Sequence, residues 1–163
     1  MREILFRGKA INRDPEGAYR TNYRNGDWVY GLVTNYYDDR FPNIPLEMTN
    51  ESGVSGIDVD HETVGQWTGL VDKNGIKIFE GDILQGDEYP YCCDGSFNYF
   101  AEVVWFEECC AFGITTWKNP NSSVRGISDG MSDYMEDFES SRWLIIGNIY
   151  DNPELLDGSE EDG

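Results

Sequence analysis

Residues 66–84 read QWTGLVDKNGIKIFEGDIL, and two apolar runs flank the segment Asp72-Lys73-Asn74-Gly75 at the centre. This segment fits a type I turn, because Asp72 can accept hydrogen bonds from the following amides and Gly75 can adopt a left-handed conformation. The stretch therefore predicts a β-hairpin. Gly81 interrupts the returning run, which indicates a bend or bulge such as those at the corners of small barrels.

Short apolar runs separated by turn-forming residues continue on both sides of this hairpin. The chain has 163 residues, of which 18 are glycine and 14% are aromatic. Aromatic side chains favour pleated, half-buried surfaces, so the composition indicates a mainly β protein. The last run, residues 143–150, is apolar nearly throughout and is expected to form a central strand. The expected core includes Trp67, Leu70, Ile78, Ile83, Val103, Trp105, Leu144, Ile146 and Ile149.

One short amphipathic helix is predicted near residues 129–140. Ser128 or Asp129 can cap its start, and acidic residues fill the face opposite the apolar one. We expect the apolar stripe to face the core, and a partner-binding face is the alternative. The helical spacing i, i+3, i+4, i+7 is met by Met131, Tyr134, Met135 and Phe138.

The charge of the chain restricts its partners. The formal net charge is −19, and residues 41–163 carry twenty-five acidic side chains against five basic ones. Residues 1–40 are close to neutral, with seven basic and six acidic side chains. Because a protein this acidic is repelled by phosphate backbones, direct binding to nucleic acid is not expected. The final residues, 157–163, have the composition of a disordered acidic tail.

Neither a membrane segment nor a cysteine-based site is predicted. No apolar run approaches the ~20 residues that span a bilayer, and no signal-peptide core follows Met1, so a cytoplasmic location is expected. The cysteines form two adjacent pairs, Cys92-Cys93 and Cys109-Cys110. Adjacent cysteines rarely suit a tetrahedral metal site. Free thiols are therefore expected, with a disulfide across a hairpin or a metal site as the alternatives.

The sequence points to no catalytic, cofactor-binding or metal-binding residue. Phosphate-binding glycine loops are absent, and a single histidine excludes the two-histidine metalloprotease motif. In residues 57–64, apolar and polar residues alternate up to Asp60, and the pattern is then lost. Asp58, Asp60 and Glu62 could share a strand face and hold a cation, but a solvated face is the preferred interpretation. The lone His61 has no partner motif.

Several segments together resemble the YopX family of phage and prophage proteins. The central ones are TVGQWTGLVDKNG at residues 63–75 and IFEGDI at residues 78–83. The ending GNIYDNPELL at residues 147–156 and the openings REILFR at 2–7 and WVYG at 28–31 are also similar. The resemblance implies a phage or prophage origin and a mainly β fold with an SH3-like barrel in the C-terminal part. It implies no established activity, substrate or cofactor.

The expected organisation is one compact unit with two parts and a tail. Residues 1–56 would form an N-terminal β annex, residues 57–156 the part with the SH3-like barrel or roll, and residues 157–163 the tail. Residues 86–99 and 107–141 match nothing in the family pattern, and both cysteine pairs and the predicted helix lie there.

Three hypotheses about function follow. We prefer a non-enzymatic protein-binding module that contacts a host or phage protein. An acidic nucleic-acid mimic that docks on a DNA-binding protein is the first alternative. The second is an enzyme in which some of Asp58, Asp60, His61 and Glu62 converge in a pocket.

Self-association is expected to use the N-terminal region, if it occurs. That region is nearly neutral, so two copies would repel each other least there. It also carries aromatic residues of the types enriched at interfaces. These are Trp28, Tyr30, Tyr36 and Tyr37.

Overall fold

The computed structural model describes residues 1–12, 21–35, 38–42, 45–86, 99–108, 110–118, 132–134 and 143–155. Strands dominate these residues, which confirms the mainly β prediction. The ten strands are β1 (Phe6–Ala10), β2 (Trp28–Asn35), β3 (Leu46–Asn50), β4 (Ile57–Val71), β5 (Lys77–Phe79), β6 (Asp82–Gly86), β7 (Tyr99–Phe106), β8 (Ala111–Lys118), β9 (Ser132–Tyr134) and β10 (Trp143–Asn148). A 3₁₀ turn, Pro153–Leu155, follows the last strand.

The chain divides into two compact units, Met1–Trp67 and Thr68–Gly163. The division falls inside the long strand β4, which continues from the first unit into the second. The boundaries placed at residues 56 and 156 from the sequence stay predictions, and the tail at 157–163 lies outside the described residues. No described helix has the length and apolar character needed to cross a bilayer.

The first unit is built from antiparallel strands in the order β1-β2-β3-β4, and β1 also pairs with β4. Alternate residues of each strand point into one apolar core, as period-two patterning requires. The fully buried side chains include Val29, Met48, Ile57 and Val59, and Phe6 and Val64 pack partly against them. The side chains on the other face of β1 and β2 do not belong to this core.

Strand β4 bulges where it pairs with β1. Lys9 lies opposite Asp60 and Arg7 lies opposite Gly65. Between these two pairs, β4 has the four residues 61–64 where β1 has only Gly8. The Thr63 hydroxyl stabilises the bulge, because it accepts from the Lys9 amide at 2.8 Å and donates to the Asp60 carbonyl at 2.7 Å. This bulge is the physical reason why the alternating pattern ends after Asp60 in the sequence.

The second unit contains a hairpin formed by the end of β4 with β5, and a five-stranded sheet in the order β10-β6-β7-β8-β9. Three predicted core residues, Ile78, Ile83 and Val103, are fully buried. Trp105 was expected beside them, but it is 41% exposed. The remaining predicted core residues are partly buried, and they are Trp67, Leu70, Leu144, Ile146 and Ile149.

The predicted helix is wrong where the structure can test it. Ser132–Tyr134 forms strand β9, which pairs antiparallel with β8 at Gly113–Thr115. Serine, aspartate and tyrosine are weak helix formers, so pairing with the open edge of β8 prevails over the helical spacing. The other residues of the predicted helix, 129–131 and 135–140, lie outside the described part of the chain.

Strand β10 was expected to be central, but it lies at one end of its sheet as described. Its outer edge contacts the turn after β4. The Lys73 amide donates to the Trp143 carbonyl at 2.9 Å, and the Ile145 amide donates to the Asp72 carboxylate at 3.2 Å. The turn therefore partly covers the edge of the apolar strand β10. The local sequence pattern does not indicate this contact, because the two segments are far apart in the chain.

Candidate interaction surfaces

The turn at Asp72 is held by a buried carboxylate. Asp72 is 3% exposed, and its Oδ1 accepts from the amides of Asn74 at 2.8 Å and Ile76 at 2.9 Å. Its Oδ2 accepts from the amide of Ile145 in β10. Gly75 has φ +79°, as the sequence-based turn requires. This carboxylate is therefore used for backbone hydrogen bonding within the fold.

Gly81 and Asp82 form the bend between β5 and β6. Gly81 has φ +84°, its amide donates to the Val103 carbonyl at 2.8 Å, and its carbonyl accepts from the Ile149 amide at 2.9 Å. Asp82 is 1% exposed and accepts from the Phe79 amide at 2.8 Å. The interruption of the apolar run at Gly81 is thus a tight bend that joins three segments.

The segment GNIYDNPE also has a structural role. Asn148 Oδ1 accepts from the amides of Tyr150 at 3.0 Å and Asp151 at 2.9 Å. Asn152 donates its amide to the Asn148 carbonyl at 2.9 Å and accepts the Asn148 amide at 3.3 Å through Oδ1. These asparagines close a turn after β10.

The acidic residues of β4 are separated by the bulge. Asp58 lies opposite Glu47 and Asp60 opposite Lys9, while His61 and Glu62 are exposed on the bulge. Asp60 Oδ1 accepts from the Glu62 amide at 3.1 Å. The bulge breaks the spacing that would align Glu62 with the two aspartates. Across the described ranges, no three His, Cys, Asp or Glu side chains are grouped as metal ligands.

Cys110 is an exposed free thiol in the turn between β7 and β8. Its φ is +52°, and its amide donates to the Glu107 carbonyl at 3.4 Å. Cys92, Cys93 and Cys109 lie outside the described residues. The structure therefore tests the free-thiol expectation at one cysteine of the four, and Cys110 agrees with it.

A cluster of cations and aromatic rings lies on the outer face of β1 and β2. We call Arg7, Lys9, Trp28, Tyr30 and Leu32 the N-terminal face. The register places Arg7 opposite Tyr30 and Lys9 opposite Trp28. The guanidinium carbon of Arg7 lies 4.7 Å from the centroid of the Trp28 ring, and Lys9 Nζ lies 5.3 Å from it. Both distances are within the range of favourable cation–π contacts.

Two apolar side chains of this face are exposed to solvent. Tyr30 is 37% exposed and Leu32 is 52% exposed, whereas Val29 of the same strand belongs to the core and is fully buried. The sequence indicated Trp28 and Tyr30 as interface residues. It missed Arg7 and Lys9, although their spacing of two residues in a strand was a signal that they share a face.

Asp38 and Arg40, which follow β2 in the chain, form a local ion pair. Arg40 donates from Nε at 3.0 Å and from Nη2 at 2.8 Å to the carboxylate of Asp38. These hydrogen bonds hold the pKa of Asp38 below its ordinary value. The Arg40 side chain is 82% exposed and that of Asp38 is 35% exposed, so this surface pair contributes little to stability.

A second exposed apolar feature lies in the other unit, at the end of the β7–β8 hairpin. We call Trp105, Glu107, Glu108, Cys110 and Phe112 the hairpin tip. Trp105 lies opposite Phe112, and their rings meet edge to face with centroids 4.8 Å apart. Strand β6 pairs with β7 at Tyr99–Glu102, so the hairpin continues past the point where β6 begins. This extension explains why Trp105 is exposed although Val103, two residues before it, is fully buried.

Comparison with known proteins gives a family match and one similar solved structure. Residues 19–157 match the family model described as YopX protein. The chain is also similar to the crystal structure of protein EF1440 from Enterococcus faecalis, at 23% sequence identity and a TM-score of 0.44. That similarity covers 94% of this chain and 98% of the other. The chain matches no curated protein.

Proposed function

Because the chain belongs to the YopX family, we propose that it is a phage- or prophage-encoded accessory protein that acts by binding another protein and not by catalysis. The observation that carries this proposal is the N-terminal face. There, two exposed apolar side chains lie beside an aromatic ring that two cations contact. Such a combination of tyrosine, tryptophan and arginine is characteristic of protein-binding surfaces.

The N-terminal face is preorganised for binding. Trp28 is paired across the strands with Lys9 and contacts Arg7, and Arg7 is only 6% exposed. Side chains that are already ordered lose little conformational entropy when a partner binds. The exposed Tyr30 and Leu32 can then supply apolar contact area at a low entropic cost.

The partner that we propose is a host or phage protein with an apolar patch. The first unit carries seven basic and eleven acidic side chains, against five and twenty in the second. The first unit therefore has less excess negative charge than the second, so it opposes the approach of an apolar partner surface less. The proposal includes a cytoplasmic location and an SH3-like barrel in the C-terminal part of the fold.

A double substitution of the two exposed residues tests the proposal. The Tyr30→Ser, Leu32→Ser variant is expected to retain a partner from host lysate at least about 10-fold less than the wild type, because both apolar contacts are lost. Quantitative pull-down at low and high salt measures this. Ile76→Ser is the matched control, since Ile76 is 57% exposed but lies in the turn after β4. Equal retention by the double variant, or equal losses in both variants, would contradict the proposal.

The same face is expected to mediate self-association, if the protein forms oligomers. Tyr36 and Tyr37, which the sequence also indicates, lie outside the described residues, so Tyr30 and Leu32 are the residues to change. Sedimentation velocity at moderate salt should show an oligomer of the wild type becoming monomeric in the double variant. A wild type that is monomeric at every concentration would refute self-association. An oligomer that the substitutions leave intact would place the contact elsewhere.

A further inference from the structure

We propose that the hairpin tip is a second docking surface, fitted to a protein surface that surrounds an apolar contact with lysine and arginine side chains. This inference goes beyond the proposed function, because it concerns a different unit, different residues and a partner surface with a basic rim. It rests on three observations: an exposed tryptophan, the rigid support of that tryptophan, and the charge around it.

Trp105 has the properties of a binding anchor. It is 41% exposed although its neighbours on the same strand face, Ala101 and Val103, are fully buried. Tryptophan is the residue type most often responsible for a large share of binding energy in protein interfaces. Its exposure at the end of a hairpin presents the ring where a second protein can reach it.

The ring is supported from within the unit. Trp105 packs against Phe112 at an interplanar angle of 67°, with 4.8 Å between ring centroids. Phe112 in turn packs against the buried core cluster that contains Val103 and Ile114. An edge-to-face pair that is fixed to the core orders the exposed ring before binding, and this order lowers the entropic cost of complex formation.

The charge around the ring selects a basic partner. Glu107 and Glu108 follow Trp105 in the turn, and both are exposed. The whole unit carries twenty acidic side chains against five basic ones. Electrostatic complementarity therefore favours partners with lysine and arginine at the rim of the contact, and it accelerates their association. Nucleic acid is excluded as an occupant because its phosphates would be repelled.

Short fluorescent peptides test this inference. The probe peptide alternates lysine with leucine, and two matched peptides replace all lysines with serine or with glutamate. Fluorescence anisotropy should show that the wild type binds the lysine–leucine peptide. The Trp105→Ala variant should bind the same peptide at least about 10-fold more weakly. Glu107→Gln, Glu108→Gln should weaken binding and reduce its dependence on salt. Alkylation of Cys110 by iodoacetamide, followed by peptide mass mapping, should slow when the peptide is bound.

Each alternative outcome is distinct. Binding that Trp105→Ala leaves unchanged, or that does not protect Cys110, would show that the peptide binds the diffuse negative charge of the unit and would overturn the proposal. Equal binding of the serine peptide would remove the requirement for a basic partner. Absence of binding by all peptides would also refute it. If Trp105→Ala fails to fold by circular dichroism, Glu107→Lys, Glu108→Lys replaces it. The Tyr30→Ser, Leu32→Ser variant should bind the peptide as the wild type does. A failure of this proposal can therefore be distinguished from a failure of the proposal for the N-terminal face.

Discussion

Replacing Asp72 with alanine is expected to lower the free energy of unfolding by about 3–5 kcal/mol, because the change removes three hydrogen bonds to one buried carboxylate. The amides of Asn74 and Ile76 lose the acceptor that fixes the turn, and the amide of Ile145 loses its contact at the edge of β10. A loss of that size is a large fraction of the ~5–15 kcal/mol by which folded domains are stable. Urea denaturation followed by tryptophan fluorescence measures it.

Asp27→Ala is the matched control for this prediction. Asp27 also accepts an amide hydrogen bond within a turn, from Arg24 at 2.7 Å, but it is exposed and makes this single contact to the Arg24 amide. Its loss should cost about 1 kcal/mol or less. If the two alanine variants lose equal stability, the role assigned to burial and to the contact with β10 is wrong.

An asparagine at position 72 separates the two functions of the carboxylate. Asp72→Asn can keep one oxygen toward the turn amides, but its NH₂ group would then face the Ile145 amide, donor against donor. Amide hydrogen exchange at Ile145 should accelerate more than exchange at Ile76. The reverse order would show that the side chain serves β10 more strongly than its own turn.

Replacing Gly81 with valine is expected to destabilise the protein by about 3 kcal/mol or more. The backbone φ of +84° is unfavourable for a residue with a Cβ atom, and more so for a β-branched one. A Cβ at this position would lie 3.1 Å from Tyr150 Cε2 and 3.6 Å from Ile149 Cγ1, so steric crowding adds to the strain. Thermal unfolding monitored by circular dichroism should show the lower midpoint.

Gly75→Val isolates the backbone contribution. Gly75 has a similar φ of +79°, and no atom of the described chain lies within 4 Å of a Cβ built there. Its replacement should cost only the strain, about 1–2 kcal/mol. A Gly81 variant that is no less stable than the Gly75 variant would mean that the contacts with Tyr150 and Ile149 relax without penalty.

Local turn chemistry was readable from the sequence. The Asp72–Gly75 turn, the bend at Gly81 and the flanking strands follow from residue types within a few positions of each other. The role of Trp28 and Tyr30 at an interface stays a prediction, made because aromatic residues in a nearly neutral segment are typical of interfaces. These features depend on neighbours in sequence, which is why a single chain was sufficient to predict them.

Features that depend on strand pairing were not predicted correctly. Ser132–Tyr134 carries part of a helical spacing, and only the position of β8 shows that it pairs as a strand. Trp105 has the same alternation as Val103, and its exposure follows from where β6 begins. The contact of Arg7 and Lys9 with Trp28 likewise requires the register between β1 and β2. Register and strand order are properties of distant segments, and periodicity does not specify them.

The pairing of β1 with β4 has a consequence for synthesis on the ribosome. Phe6 lies opposite Gln66, and Trp67 donates its amide to the Leu5 carbonyl at 2.8 Å. At about 5–20 residues translated per second, the nascent chain carries β1 and β2 for several seconds before β4 is made. During that interval Val29 and Met48 have no completed core to enter. Nascent chains stalled before Thr63 are therefore expected to be retained by chaperones. Chains stalled well past Val71 should instead carry a protease-resistant first unit.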